Sequence, residues 1–249
     1  MIPSLVELLE LAEKYNYELP EAPAALKAPR EAGIAGWIDH TLLKPEATAT
    51  QVKKLCQEAV EYGFASVCVN PVYVSLCAEL LSGSKVKVCS TVGFPFGATP
   101  PTYKVFETLA CIEAGATEID MVINIGALKG QDYGPIYNEI LALAQVCHNM
   151  NGLLKVILEM ALLTPQEKII ACLISKAAGA DFVKTSTGYG PGGATIEDVG
   201  LMYRIVGPEI KVKAAGGIRN LKTALAMIGA GASRLGASAG VQIVQEAVA

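Results

Sequence analysis

Two lysines and an aspartate carry the chemistry this sequence is equipped for. Lys184 in DFVKTSTG and Lys213 in KVKAAGG each fall inside a short β-rich run, and Asp120 lies inside another, EIDMVIN. Burying an ammonium is costly unless it is paired or deprotonated, so a lysine within an apolar strand needs a reason. A single one reads as readily as a structural ion pair, or as a side chain snorkelling to water. Two on successive strands are different. If both point inward, each ammonium disfavours the other and burial adds to the effect, so one of the two is expected to have a depressed pKa. An unperturbed lysine is only about 0.04% neutral at pH 7, whereas a pKa of ~7–8 leaves about a tenth to a half of it nucleophilic. That gain is what a Schiff base requires. The residues alone leave open which lysine is the nucleophile.

Asp120 is flanked by Ile119 and Met121, and strand alternation places it on the same side as Val122 and Asn124, taken as the interior. A carboxylate there balances the lysines and moves protons, or serves only as their counter-ion. Glu159, at the end of LKVILEM, is a weaker candidate of the same kind. AAGGIRN brings Gly216 and Gly217, and RLGASAG brings Gly236 and Ser238, each between a β-rich run and a helix. Glycines there let backbone N–H groups approach an anion at a helix N-terminus, although they also simply make tight turns. GYGPGG (188–193) matches G-x-G-x-x-G, but Pro191 and the lysine-bearing strand before it argue against a dinucleotide unit, and it reads as a flexible loop over the site. No metal is expected, because the only histidines are His40 and His148 and no ligand-spaced Cys/His cluster exists. His40 reads as a hydrogen-bonded structural residue at the barrel mouth.

The elements that must hold these residues alternate regularly. Eight β-rich runs occupy 37–43, 64–70, 86–93, 118–124, 154–160, 182–188, 211–217 and 234–240, with helical patterns between them, several ending in Gly. Eight such units in about 200 residues predict an α/β fold, a single (β/α)₈ TIM barrel over 36–249, with its chemistry at the C-terminal ends of the strands. Residues 1–35 read as an N-terminal helix, starting at Ser4 with Glu7 three residues on, and a Pro/Ala-rich surface linker over 18–33.

Bulk properties narrow the partners. A net charge of -4 with a pI near 5.3 gives no broad positive field, so no nucleic acid is expected. The N-terminus does not read as a signal peptide, no apolar run reaches the ~18 residues a membrane span needs, and the seven cysteines lack a C-x-x-C pair. Reduced buried thiols, no membrane partner and a cytoplasmic location are the expectations.

IDHTLLKPEAT (38–48), SVCVNP (66–71), STVGFPFG (90–97), EIDMVINIGALKG (118–130), VKTSTGY (183–189), KAAGGIR (213–219) and RLGASAG (234–240) together resemble the deoxyribose-phosphate aldolase family. The match runs from about Trp37 to the C-terminus, and VKTSTG followed by K-x-x-GGIR is its most specific part. The resemblance implies a class I aldolase that cleaves 2-deoxyribose 5-phosphate to glyceraldehyde 3-phosphate and acetaldehyde, without metal or organic cofactor, as a homodimer or homotetramer. It makes Lys184 the Schiff-base lysine, Lys213 the second lysine that keeps it neutral, and Asp120 the proton-relay acid. It places Asp39, Thr41, Cys68 and Thr187 near the substrate, and Gly188, Gly216, Gly217, Gly236 and Ser238 around the phosphate. Three places depart from the family pattern: Met160 and Ala161 after Glu159, Ala239 in place of a serine, and Tyr189 where some members carry a lysine near the phosphate. None removes a catalytic group. The alternatives are another Schiff-base barrel aldolase, transaldolase-like, or a non-catalytic sugar-phosphate-binding barrel, which has no use for two buried lysines.

Overall fold

The structure, a computed structural model, describes residues 4–26 and 31–248. Eight parallel strands close a barrel in chain order: β1 (Ile38–Leu42), β2 (Ser66–Val69), β3 (Lys87–Val92), β4 (Glu118–Val122), β5 (Leu153–Ile157), β6 (Phe182–Lys184), β7 (Lys211–Ala215) and β8 (Arg234–Ala237). Closure is made by β8 against β1, with Asp39 opposite Gly236. The helices are α1 (Leu5–Tyr17), α2 (Ala49–Tyr62), α3 (Val74–Leu80), α4 (Pro101–Glu113), α5 (Ile125–Lys129), α6 (Tyr133–Asn149), α7 (Pro165–Ala177), α8 (Ile196–Val206), α9 (Leu221–Gly229) and α10 (Gly240–Val248). Each of the eight β-rich runs coincides with one strand, β5 beginning one residue before its run.

Local chemistry sets the boundaries. Ser4, Thr48 and Thr164 cap α1, α2 and α7 in reciprocal boxes with Glu7, Gln51 and Glu167, which satisfies free N–H groups of the first turn. Gly63 ends α2 in the left-handed conformation at φ 72°, which a side chain resists. The run 182–188 is strand for only three residues. Beyond Lys184 the Thr185 hydroxyl exchanges hydrogen bonds with the backbone of Ala215, and Thr187 turns to Glu159, so the chain leaves the sheet.

The apolar core lies between strands and helices. Outward strand residues such as Val67, Ile119, Val156, Val183 and Leu235 meet helix residues such as Leu55, Ile140, Ile174 and Met202, all buried. α1 packs on α7 through Leu8 and Ala12. Behind it, Arg204 donates to the carbonyls of Leu19 and Pro20, and the Tyr203 hydroxyl to that of Ala24 at 2.8 Å, which fastens the segment over α8. The expected surface linker follows this course through residue 26; its residues 27–30 lie outside the described residues. No helix of the described residues is long and apolar enough to cross a membrane. All seven cysteines are free and buried.

Candidate active site

Inside the barrel, where a closed sheet ordinarily stacks apolar layers, the inward positions carry charge. Asp39 on β1, Glu118 and Asp120 on β4, Lys155 on β5, Lys184 on β6, Lys213 on β7 and Arg234 on β8 form one connected network. Lys184 Nζ and Lys213 Nζ each stand 2.7 Å from the same oxygen of Asp120, Oδ2. Its other oxygen, Oδ1, lies 2.8 Å from Lys155 Nζ and accepts the Cys89 thiol at 3.1 Å. Lys155 also pairs with Glu118 at 2.7 Å. Asp39 pairs with Lys213 on one oxygen and, on the other, accepts from Arg234 at 2.6 Å and from Ser66 at 2.7 Å. Arg234 reaches Glu118 at 3.1 Å, closing the ring of charges beneath the mouth.

Each charge is held by its neighbours. Burial pushes the Asp120 carboxyl up, but Lys155, Lys184 and Lys213 outweigh it and hold Asp120 well below the usual carboxylate range. Asp39 is likewise depressed, burial being overcome by Lys213, Arg234 and Lys155. Of the two lysines, one of which was expected to be depressed, Lys213 is raised. Burial works against its charge, yet Asp120 and then Asp39 raise it above the ordinary lysine value. Repulsion from Lys155 is outweighed because Asp120 and Asp39 both touch the Lys213 ammonium. Counted by charge, three carboxylates (Asp39, Glu118, Asp120) meet four basic groups (Lys155, Lys184, Lys213, Arg234), so the ring is neutral with one of them as free amine.

Above the ring opens a cleft of about 580 Å³ at the C-terminal ends of the strands. Lys184 is the network lysine on its lining, together with Thr41, Thr187, Gly188, Gly216, Gly217, Gly236 and Ser238. Those eight expected site residues thus share one cavity. Lys213, Asp120, Asp39 and Cys68 sit below it, fully buried, with Cys68 Sγ 4.0 Å from Asp120 Oδ2. Asp39 therefore faces Lys213 and Arg234, and Thr41, two residues on, presents the cleft while its hydroxyl donates to the Asp39 carbonyl at 2.8 Å. Gly216 is at φ 90° with its carbonyl accepting from Ala194, and a Cβ on Gly193 would lie 2.4 Å from that carbonyl. The GYGPGG loop expected to be flexible is packed against the β7 loop at this point.

Glu159, two residues past β5, is buried in a left-handed conformation, φ 55°, and its carboxylate accepts both the N–H of Thr187 at 3.2 Å and the Thr187 hydroxyl. The Tyr189 N–H donates to Thr187 Oγ1 at 3.0 Å, and the Tyr189 hydroxyl donates to the Leu43 carbonyl at 2.8 Å. His40 points outward instead of toward the mouth. Alternation on β1 turns it to the helices, where Nε2 meets Glu58 at 2.8 Å and the ring packs on Phe64. Cys68, Cys89 and Asp120 form a compact set of metal-type donors within 4.8 Å of one another. A cation there would meet Lys155, 3.2 Å from Cys89, and the two lysines already on Asp120, so the donor set does not suit one.

Sequence reasoning missed Lys155, Glu118 and Arg234. Alternation puts each on the inward side: Glu118 is two residues before Asp120, Lys155 four before Glu159, and Arg234 two before Gly236. Attention to the C-terminal strand ends alone passed over this deeper layer.

Comparison with known proteins agrees with the geometry. The DeoC/LacD family aldolase profile matches residues 34–246. A deoxyribose-phosphate aldolase of Thermococcus gammatolerans is 58% identical over 216 residues, 86% of this chain and 96% of that one. Deoxyribose-phosphate aldolase 1 of Bacillus licheniformis is 57% identical over 212 residues, 85% and 95% of the two chains. Among solved structures, one from Coccidioides immitis superposes with a TM-score of 0.93 at 42% identity over 99% of both chains. The tetrameric deoxyribose phosphate aldolase of Aeropyrum pernix gives 0.82 at 33% identity over 98% and 97%.

Proposed function

The chain belongs to the DeoC/LacD family of aldolases, and from that premise we propose that it is a class I aldolase that reversibly cleaves 2-deoxyribose 5-phosphate to glyceraldehyde 3-phosphate and acetaldehyde. The observation that carries the reading is the sharing of Asp120 Oδ2 by Lys184 and Lys213, with Lys184 the one that reaches the cleft. Lys184 is the nucleophile in this reading, the role the resemblance implies for it, and its place on the cleft supports that choice.

In this reading the free amine of Lys184 attacks the C1 aldehyde of the open-chain sugar. Lys213, held charged, has a proton to give, and Asp120, held ionised between the two lysines, guides it to the departing hydroxyl, directly or through a water. Loss of water leaves an iminium, an electron sink. The C3 hydroxyl passes its proton through Asp120 or a water back to the Lys213 amine, C2–C3 breaks with its electron pair taken up by the iminium, and glyceraldehyde 3-phosphate leaves. The enamine takes that proton from Lys213 at C2, and water hydrolyses the resulting iminium to acetaldehyde, which returns the Lys184 amine and a proton to Lys213. Thr41 and Thr187 line the cleft where sugar hydroxyls pass, with Asp39 and Cys68 supporting from below. Gly188, Gly216, Gly217, Gly236 and Ser238 offer backbone N–H groups and a hydroxyl to the phosphate. Residues 36–249 form the catalytic barrel in this reading. The A. pernix tetramer supports a homo-oligomer, dimer or tetramer, and the free thiols suit the cytoplasm.

Borohydride reduction with acetaldehyde or deoxyribose 5-phosphate, followed by peptide mass spectrometry, tests the assignment. Trapping on Lys184 that disappears in Lys184→Leu is expected. Trapping on Lys213 would reverse the lysine roles, and no adduct at any lysine would favour a sugar-phosphate-binding barrel.

A further inference from the structure

Besides Lys184, which Asp120 engages from below, the cleft is lined by two cationic side chains, Lys44 and Arg219, and by one carboxylate, Glu46. Arg219 follows Gly217 by two residues on the loop after β7. Lys44 comes from the other end of the barrel domain, on the loop after β1. Closure brings that loop alongside the phosphate end, because β1 pairs with β8 through Asp39 opposite Gly236 and His40 opposite Ala237. The loops after β7, β8 and β1 therefore stand side by side around one end of the cleft.

Resting on the aldolase reading, we propose that Lys44 is a phosphate-binding residue of this site and a determinant of its preference for a phosphorylated sugar. A phosphate monoester carries about −1.5 to −2 charges at pH 7, and backbone N–H groups at the glycine loops supply only partial charge against it. One cation from each of two loops matches the dianion, Arg219 as a planar fork and Lys44 as a point charge. Lys44 has no ion-pair or hydrogen-bond partner for its ammonium among the described residues, so its charge is uncommitted. Its loop is nonetheless tightly held. The Leu43 carbonyl accepts from Tyr189 Oη at 2.8 Å and from Asn70 Nδ2 at 3.1 Å, the Ala47 carbonyl accepts the Tyr73 hydroxyl, and the Ala47 N–H donates to the Lys44 carbonyl at 3.1 Å. An exposed side chain on a backbone fixed by two other segments, the loops after β6 and β2, is placed at little ordering cost when the anion binds. Tyr189 is thus a positioning residue. It brings no cation of its own and instead ties the loop after β6 to the loop that carries one.

The test compares cleavage of 2-deoxyribose 5-phosphate and unphosphorylated 2-deoxyribose by wild type, Lys44→Met and Tyr189→Phe. In Lys44→Met the ratio of kcat/KM, phosphorylated over unphosphorylated, is expected to fall about tenfold to a hundredfold, through KM for the phosphorylated sugar. Tyr189→Phe keeps its ring on Phe94 and loses the Leu43 bond, so the same ratio falls by less. An unchanged ratio in Lys44→Met, or an equal loss on both sugars, overturns the assignment. Calorimetric titration of inorganic phosphate reads the site without turnover: weaker binding to Lys44→Met supports the proposal, and equal binding overturns it even if neither sugar is cleaved, an outcome that would separately remove the aldolase reading.

Discussion

Lys155 faces its register partner Asp120 across β5 and β4, with Nζ 2.8 Å from Oδ1, the oxygen turned away from Lys184 and Lys213. The two sides of one carboxylate are thereby divided, one oxygen for the reacting lysines and the other for a supporting one. Lys155 is fully buried, and Asp120, then Cys89, Glu118 and Asp39, outweigh burial to raise it well above the ordinary lysine value. Removing one partner of a buried ionic cluster costs about 3–5 kcal/mol because the remaining charges lose compensation. Lys155→Met is expected to lower unfolding free energy by that amount in urea denaturation. A loss below about 1 kcal/mol, the scale of an exposed pair, would mean that Lys155 does not stabilise the ring.

Asp120→Asn removes the charge that both reacting lysines share while keeping its size. A proton relay contributes about 10²–10⁴ in rate, so kcat for deoxyribose phosphate cleavage should fall by that factor. Borohydride trapping on Lys184 should slow in parallel, because carbinolamine dehydration needs the same proton. A kcat within about tenfold of wild type would reduce Asp120 to a counter-ion.

Acid stability follows from the same carboxylates. Asp39 and Asp120 are both depressed in the folded protein, while in the unfolded chain an Asp titrates near about 3.9. The unfolded chain therefore takes up protons first as pH falls. The stabilisation from these groups is fully present above about pH 5 and is lost progressively below about pH 4. Lys155 and Lys213 are raised, so their contribution is present below the unfolded lysine value of about 10.4 and is lost only above it. Tm measured from pH 2 to 11 should be nearly flat across the middle and fall at both ends. A decline centred between pH 5 and 7 would contradict these assignments.

Much of this was legible in the sequence because barrel strands alternate strictly. Asp120 two residues from Val122, and lysines in the sixth and seventh β-rich runs, are enough to predict a charged interior, and the glycine loops announce their place by ending strands seven and eight. What escaped depends on neighbours that chain order does not reveal. Lys213 is raised by Asp120 and then by Asp39, and the latter is far away in sequence and adjacent only because β8 closes on β1. The outward direction of His40 is set by the phase of alternation once Asp39 is fixed inward. Tyr189 reads as a departure from the family pattern in sequence, and its tie to Leu43 emerges only when the loops after β1 and β6 meet.

Lys104 marks the limit of pattern reading, since on α4 it looks like an ordinary helix-surface lysine. It is fully buried instead, 2.8 Å from Glu139 on α6, and it donates to the Val122 carbonyl at 2.8 Å, two residues past Asp120. Burial draws Lys104 down and pushes Glu139 up, each toward its neutral form and against the attraction of the partner. Breaking such a pair on one side is costly, while replacing both sides with apolar groups is often neutral. Lys104→Met alone is expected to destabilise by about 3–5 kcal/mol, and Glu139→Leu alone by a similar amount. The double variant should then lose clearly less than the two together, with a coupling of at least about 1 kcal/mol in a denaturation cycle. Additive losses would show that each side chain acts through its own surroundings, Lys104 through the Val122 carbonyl at the end of β4 and Glu139 through its packing in α6.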